Sequence, residues 1–132
     1  DTGAQLTVGA LPVDPGQAEG FGLMRTSSDG RIQEFREKPK GAELETMRVD
    51  TQALGLSAEE AAKRPYLASM GIYMFSGKVM REALADHTQT DFGKEVIPGL
   101  LGKRKLFAHL FEGYWEDIGT IRSFPCVFSP LR

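Results

Sequence analysis

Lys105-Leu106-Phe107-Ala108-His109-Leu110-Phe111-Glu112-Gly113-Tyr114-Trp115-Glu116-Asp117-Ile118-Gly119-Thr120 joins an apolar run to a cluster of aromatics, acids and glycines. The run has strand composition and ends at Gly113, so Tyr114, Trp115 and Asp117 are expected to emerge at a strand's carboxyl end. In open α/β sheets that edge is where ligands bind. An aromatic ring covers the C–H surface of a sugar, and a carboxylate oxygen can hold a hard cation. A strand-end turn around a half-buried indole fits the same spacing without any ligand.

Upstream, Gln5-Leu6-Thr7-Val8-Gly9-Ala10-Leu11 reads as an inner strand stopped by Pro12, with Asp14-Pro15-Gly16 as a turn. Phe21-Gly22-Leu23-Met24-Arg25-Thr26 and Arg31-Ile32-Gln33-Glu34-Phe35-Arg36 flank Ser27-Ser28-Asp29-Gly30, a tight-hairpin signal. Alternation puts Ile32 and Phe35 on opposite faces and delivers Glu37 and Lys38 at the strand's end, where Pro39 calls for an extended exit. Residues 40–50 are polar and without a clean period, a loop or short helix. Ser57-Ala58-Glu59-Glu60 is a capping box opening a helix over 58–64, before Pro65. Tyr66-Leu67-Ala68-Ser69-Met70-Gly71-Ile72-Tyr73-Met74-Phe75 suits a strand buried on both faces, with Ser69 and Gly71 as the exceptions. Ser76 caps a helix to about Asp86 whose Val79, Met80, Ala83 and Leu84 form a core stripe. A turn over 94–97, closed by Pro98-Gly99, follows Asp91-Phe92-Gly93.

A chain of 132 residues with 41% hydrophobic content fits one domain with a real core, though it need not be a complete one. The formal charge of −2 gives no bulk attraction to nucleic acid or a membrane surface. The lone Cys126 excludes an internal disulfide and a cysteine-rich metal site, which fits a reducing compartment. No apolar run reaches transmembrane length, and Asp1-Thr2-Gly3 opens without a basic region followed by an apolar one, so any targeting peptide is expected to lie outside this chain. His87 and His109 lack metal-partner spacing.

Chemistry concentrates at a few places. Glu37-Lys38-Pro39 sets a carboxylate beside an ammonium, the groups that grip a sugar phosphate, although such pairs are more often solvated surface. Ser69 fits a backbone hydrogen bond as readily as a ligand. Asp91-Phe92-Gly93 reads locally as a helix cap with a buried ring. Gly22 either admits a ligand close to the backbone or serves strand geometry.

Taken in order from about Leu6 to Ile121, these segments resemble glucose-1-phosphate adenylyltransferase, the ADP-glucose pyrophosphorylase family. They are Phe35-Arg36-Glu37-Lys38-Pro39, Leu67-Ala68-Ser69-Met70-Gly71-Ile72-Tyr73, Asp91-Phe92-Gly93 and Tyr114 through Thr120. Met47-Arg48-Val49-Asp50-Thr51 with Leu54-Gly55-Leu56 is similar to its plant and cyanobacterial branch. The resemblance implies an α/β fold, the C-terminal half of a Rossmann-like nucleotidyltransferase domain with a mixed β-sheet. It divides the chain into a partial sugar-phosphate-binding domain, 1–121, and a divergent tail, 122–132.

The implied reaction joins glucose 1-phosphate and ATP into ADP-glucose and pyrophosphate, feeding glycogen or starch synthesis. Lys38 and Asp117 would be catalytic, with Asp117 a ligand of Mg²⁺. Gly22, Glu37, Lys38, Ser69, Tyr73, Asp91, Phe92 and Trp115 would bind substrate. The resemblance also implies a tetrameric full-length enzyme in a plastid stroma or a cyanobacterial or bacterial cytoplasm.

The family's glycine-rich Gly-Thr-Arg phosphate loop and its second metal-binding aspartate have no match here, so the chain is expected to bind ATP poorly and to be inactive alone. Two prolines after Arg122 depart from the family's helix. Another sugar-1-phosphate nucleotidyltransferase, or a non-catalytic regulatory subunit, fits many of the same residues.

Overall fold

A computed structural model describes residues 3–119 and 121. The expected tail from Arg122 lies outside the described residues. The order is β1 (Leu6–Val13), α1 (Pro15–Ala18), β2 (Gly22–Thr26), β3 (Ile32–Glu37), α2 (Ala42–Thr46), α3 (Ala58–Lys63), β4 (Tyr66–Phe75), α4 (Gly77–Ala85), a π-type turn (Phe92–Val96), α5 (Ile97–Leu100) and β5 (Leu106–Leu110). The α/β expectation holds: the strands form one mixed sheet in the order β3-β2-β4-β1-β5. Among these five strands only β1 and β5 pair in parallel. Among the described residues no helix is long and apolar enough to cross a membrane.

Each face of the sheet carries its own cluster. Leu6, Val8, Ala10, Met24, Phe35, Leu67 and Leu106 pack with Ile97 of α5 on one side. Val13, Leu23, Tyr66 and Ala68 meet Ala18 of α1, Leu44 of α2 and Met47 on the other. Leu67 and Ala68 thus serve opposite faces, as a two-residue period requires. The polar segment after Lys40 hides this anchor, because it gives this cluster just two side chains among the described residues, Leu44 and Met47.

β1 runs through Pro12, where a stop was expected. The Ala10 carbonyl accepts from Phe111 N–H on the β5 side. Pro12 faces that same side, past the last paired residue of β5, so its missing N–H breaks no ladder bond. Asp29-Gly30 turns the hairpin as anticipated, but only Gly30 is left-handed, at φ +86°. Gly30 N–H donates to the Ser27 carbonyl at 2.9 Å. The sheet also curls: Ala108 N–H of β5 donates to the Gly30 carbonyl at 2.9 Å, bringing the β2–β3 turn against the opposite edge strand.

Other departures have local causes. β3 bulges, since Arg25 pairs with Glu34 but Thr26 with Ile32, and the skipped Gln33 resets the alternation. Ile32 and Phe35 therefore share one cluster instead of facing apart. Ser57 Oγ accepts from Glu60 N–H at 3.2 Å, but the Glu60 carboxylate pairs with Arg64 rather than completing the box. The α4 stripe is half open, with Val79 and Ala83 buried and Met80 and Leu84 exposed. Pro98 and Gly99 lie inside α5 rather than ending it, which the first helical turn tolerates.

Candidate active site

Sheet register assembles the site. Gly22 pairs with Glu37 across β2 and β3. Leu23 pairs with Ala68, so one step on Gly22 lies beside Ser69. Ser69 in turn pairs with Ala10, and Ala10 with Leu110. One row therefore crosses the sheet from Glu37 through Gly22 and Ser69 to the end of β5, where the 111–119 segment begins. Neighbours in such a row project to the same face.

A bulge brings in Tyr73. Val8 pairs with Tyr73 and Ala10 with Ser69, so Gly9 alone faces the three residues Met70, Gly71 and Ile72. A regular strand would hold positions 69 and 73 roughly 13 Å apart, but here they sit opposite residues only two apart on β1, roughly 7 Å. Gly71 makes the detour possible with φ +72°, and its N–H donates to Ser69 Oγ at 3.2 Å. The uninterrupted two-sided strand expected for 66–75 is accordingly replaced: Tyr66–Met70 is buried, whereas Ile72 and Met74 are exposed.

The result is a cleft of about 180 Å³ lined by Gly22, Glu37, Ser69, Tyr73, Trp115 and Asp117, with Gly20, Phe21, Met70 and Gly71 completing it. The indole of Trp115 is tilted against Phe21 at 5.7 Å between ring centroids. Phe92 stacks on Tyr73 at 5.4 Å and 19° from outside the lining, buttressing that wall. Asp91 caps the π-type turn by accepting from Lys94 N–H at 2.9 Å. Its charge reaches the cleft by adding to the upward pressure on the pKa values of Glu37 and Tyr73.

Burial pushes the Glu37 carboxyl above its ordinary range, with Lys38 opposing and Asp91 reinforcing the shift. The Tyr73 phenol is likewise raised by burial, against a hydrogen bond involving Ser69 and with the help of the Glu37 and Asp91 charges. A partly dehydrated carboxylate beside phenol, hydroxyl and indole is suited to grip neutral hydroxyl groups.

Lys38 is exposed at the rim and does not line the cleft. The extended exit expected before Pro39 does not form: Lys38 has φ +47°, the one non-glycine residue in the left-handed region among those described. Its N–H still donates to the Phe21 carbonyl at 3.2 Å, so the chain must leave the sheet at this residue. Asp117 is exposed in the 111–119 segment, and its Oδ1 accepts from Gly119 N–H at 3.2 Å.

Among the described residues no group of three His, Cys, Asp or Glu side chains gathers as a metal cage. Asp117 supplies one carboxylate facing the cleft, which matches the sparse protein ligation of magnesium, whose remaining positions go to water and substrate phosphate. The cleft residues that sequence reasoning passed over are Gly20, Phe21, Met70 and Gly71. Gly71 alone carried a signal, as an isolated glycine in a strand.

The nucleotidyl transferase family model matches residues 1–131. This chain belongs to the nucleotidyl transferase family. Members of the nucleotidyl transferase family move a nucleotidyl group from a nucleoside triphosphate, so the cleft described above is a candidate for the acceptor, a sugar phosphate.

Proposed function

We propose that the cleft holds the hexose of glucose 1-phosphate and that the chain serves adenylyl transfer from ATP to that sugar phosphate, forming ADP-glucose and pyrophosphate. The observation carrying this reading is the row Glu37–Gly22–Ser69, with Tyr73 and Trp115 lining the same cleft. At about 180 Å³ the cleft is smaller than the roughly 300–1,000 Å³ typical of drug-sized ligands, a size that favours one sugar ring over a whole nucleotide. The resemblance of the Ser69–Tyr73 and Tyr114–Thr120 segments to adenylyltransferases favours glucose 1-phosphate and ATP over other pairs.

In this scheme a phosphate oxygen of glucose 1-phosphate attacks the α-phosphorus of ATP, the bond to the β,γ-diphosphate breaks, and pyrophosphate leaves. No proton or covalent enzyme adduct is needed. Trp115 and Tyr73 cover C–H surface, while Glu37 accepts from ring hydroxyls. The rim ammonium of Lys38 pairs with the sugar phosphate and fixes the nucleophile, an electrostatic and positioning role rather than acid–base work. Asp117 would hold magnesium, which supplies charge neutralisation at the α-phosphate when bound.

Trp115 is the chain's one tryptophan, so its fluorescence reports on the cleft. Titration with glucose 1-phosphate should give a saturable change, with galactose 1-phosphate and mannose 1-phosphate weaker. Lys38→Ala should weaken binding roughly ten- to a hundredfold, as expected for loss of a charge-assisted contact. Equal affinity in both forms, or no preference for the glucose epimer, counts against the assignment.

A further inference from the structure

Gly93 is buried in the π-type turn, and its backbone is outside the left-handed region. Conformational freedom therefore does not explain a glycine there, since alanine is the better residue in a helical turn. Space does. A β-carbon at position 93 would lie 2.9 Å from Cδ of Glu37, 3.5 Å from its Cγ and closer still to Oε2, and these are the three nearest atoms. Across the same carboxylate stands Gly22, where a β-carbon would sit 2.7 Å from Oε2 and 2.8 Å from Cζ of Phe35. The Glu37 head group is thus threaded between two bare backbones, from β2 and from the Asp91-Phe92-Gly93 turn.

We propose that Gly93 is a positioning residue whose missing side chain lets the turn close on Glu37 and, with Gly22, confines that carboxylate to the orientation that lines the cleft. The inference rests on the reading of this cleft as the sugar-phosphate site. It gives the whole Asp91-Phe92-Gly93 segment one purpose: Asp91 caps the turn, Phe92 braces Tyr73, and Gly93 seats Glu37. The two glycines differ in use. Substitution at 22 also strikes the core ring of Phe35, whereas at 93 the three nearest atoms all belong to Glu37, the flexible end of which moves before the fold does.

The test compares the wild-type chain, Gly93→Ala, and Gly93→Ala combined with Glu37→Asp, using Trp115 fluorescence with glucose 1-phosphate as the probe. Gly93→Ala should keep or raise the melting temperature while weakening binding roughly tenfold or more. The shorter aspartate clears the added methyl, so the double variant should recover part of the affinity. Unchanged affinity in Gly93→Ala, or a loss matched by unfolding and not relieved by Glu37→Asp, overturns the proposal. Carboxyl titration of Glu37 by NMR decides the matter even if wild type binds no sugar phosphate, an outcome that would sink the cleft's assignment instead. Displacement toward water in Gly93→Ala should bring the Glu37 pKa down toward its ordinary value, and an unmoved titration also overturns the seat.

Discussion

Glu37 shows how one side chain ties stability to use. Burial favours its neutral acid, so the folded chain holds that proton above the ordinary value of 4.5. The stabilising difference is complete below the unfolded pKa and is lost as pH rises through the higher folded one. At neutral pH the ionised carboxylate therefore works against the fold. Glu37→Gln should melt at a higher temperature than wild type near pH 7 and at the same temperature below about pH 4, while binding glucose 1-phosphate more weakly. Thermal denaturation across that range checks the sign, and a wild type that is the more stable at neutral pH contradicts it. Lys38 separates charge from strain in the same way. Lys38→Ala and Lys38→Gly both remove the ammonium, but only glycine relaxes the φ of +47°. The glycine variant should be more stable than the alanine variant by about 1 kcal/mol, measured by urea unfolding, with binding equally poor in both.

Among the elements, β4 carries the decisive irregularity. Gly71 has φ +72° and open space around its missing β-carbon, so Gly71→Ala suffers from backbone strain and not from collision. It should cost about 1–2 kcal/mol and weaken sugar-phosphate binding together, because the detour that brings Tyr73 level with the row depends on it. Ser76→Ala is the matching control. Its Oγ accepts from Val79 N–H at 3.4 Å at the start of α4, away from the cleft, and its loss should cost roughly 0.5–1 kcal/mol without changing affinity.

These elements also mark what a sequence can disclose. Asp29-Gly30 announces the hairpin, and Ser57 and Ser76 announce helix starts, because each signal is local chemistry. The bulge at Gln33 leaves no such mark, since alternation looks intact until a partner strand shows which residue is skipped, and the one at Gly71 shows only as an isolated glycine in a strand. Glu37, Ser69 and Trp115 could each be suspected from residue type and family likeness. That Gly22 and Ser69 stand shoulder to shoulder is a matter of strand register, which no single segment encodes.

For the molecule as a whole, the sheet and α4 leave Ile72, Met74, Met80 and Leu84 exposed. Met74, 72% exposed, contributes little to the core. Met74→Lys should therefore leave the melting temperature within a degree or two and reduce concentration-dependent self-association, read by light scattering. The curl of the sheet bears on a different hazard. Because the Gly30 carbonyl already receives Ala108 N–H, the outer flank of β5 is capped by the chain's own hairpin. A foreign peptide seeking to lengthen the sheet there must first displace a turn separated from it by more than seventy positions, so this rim is a poor seed for fibrillar growth.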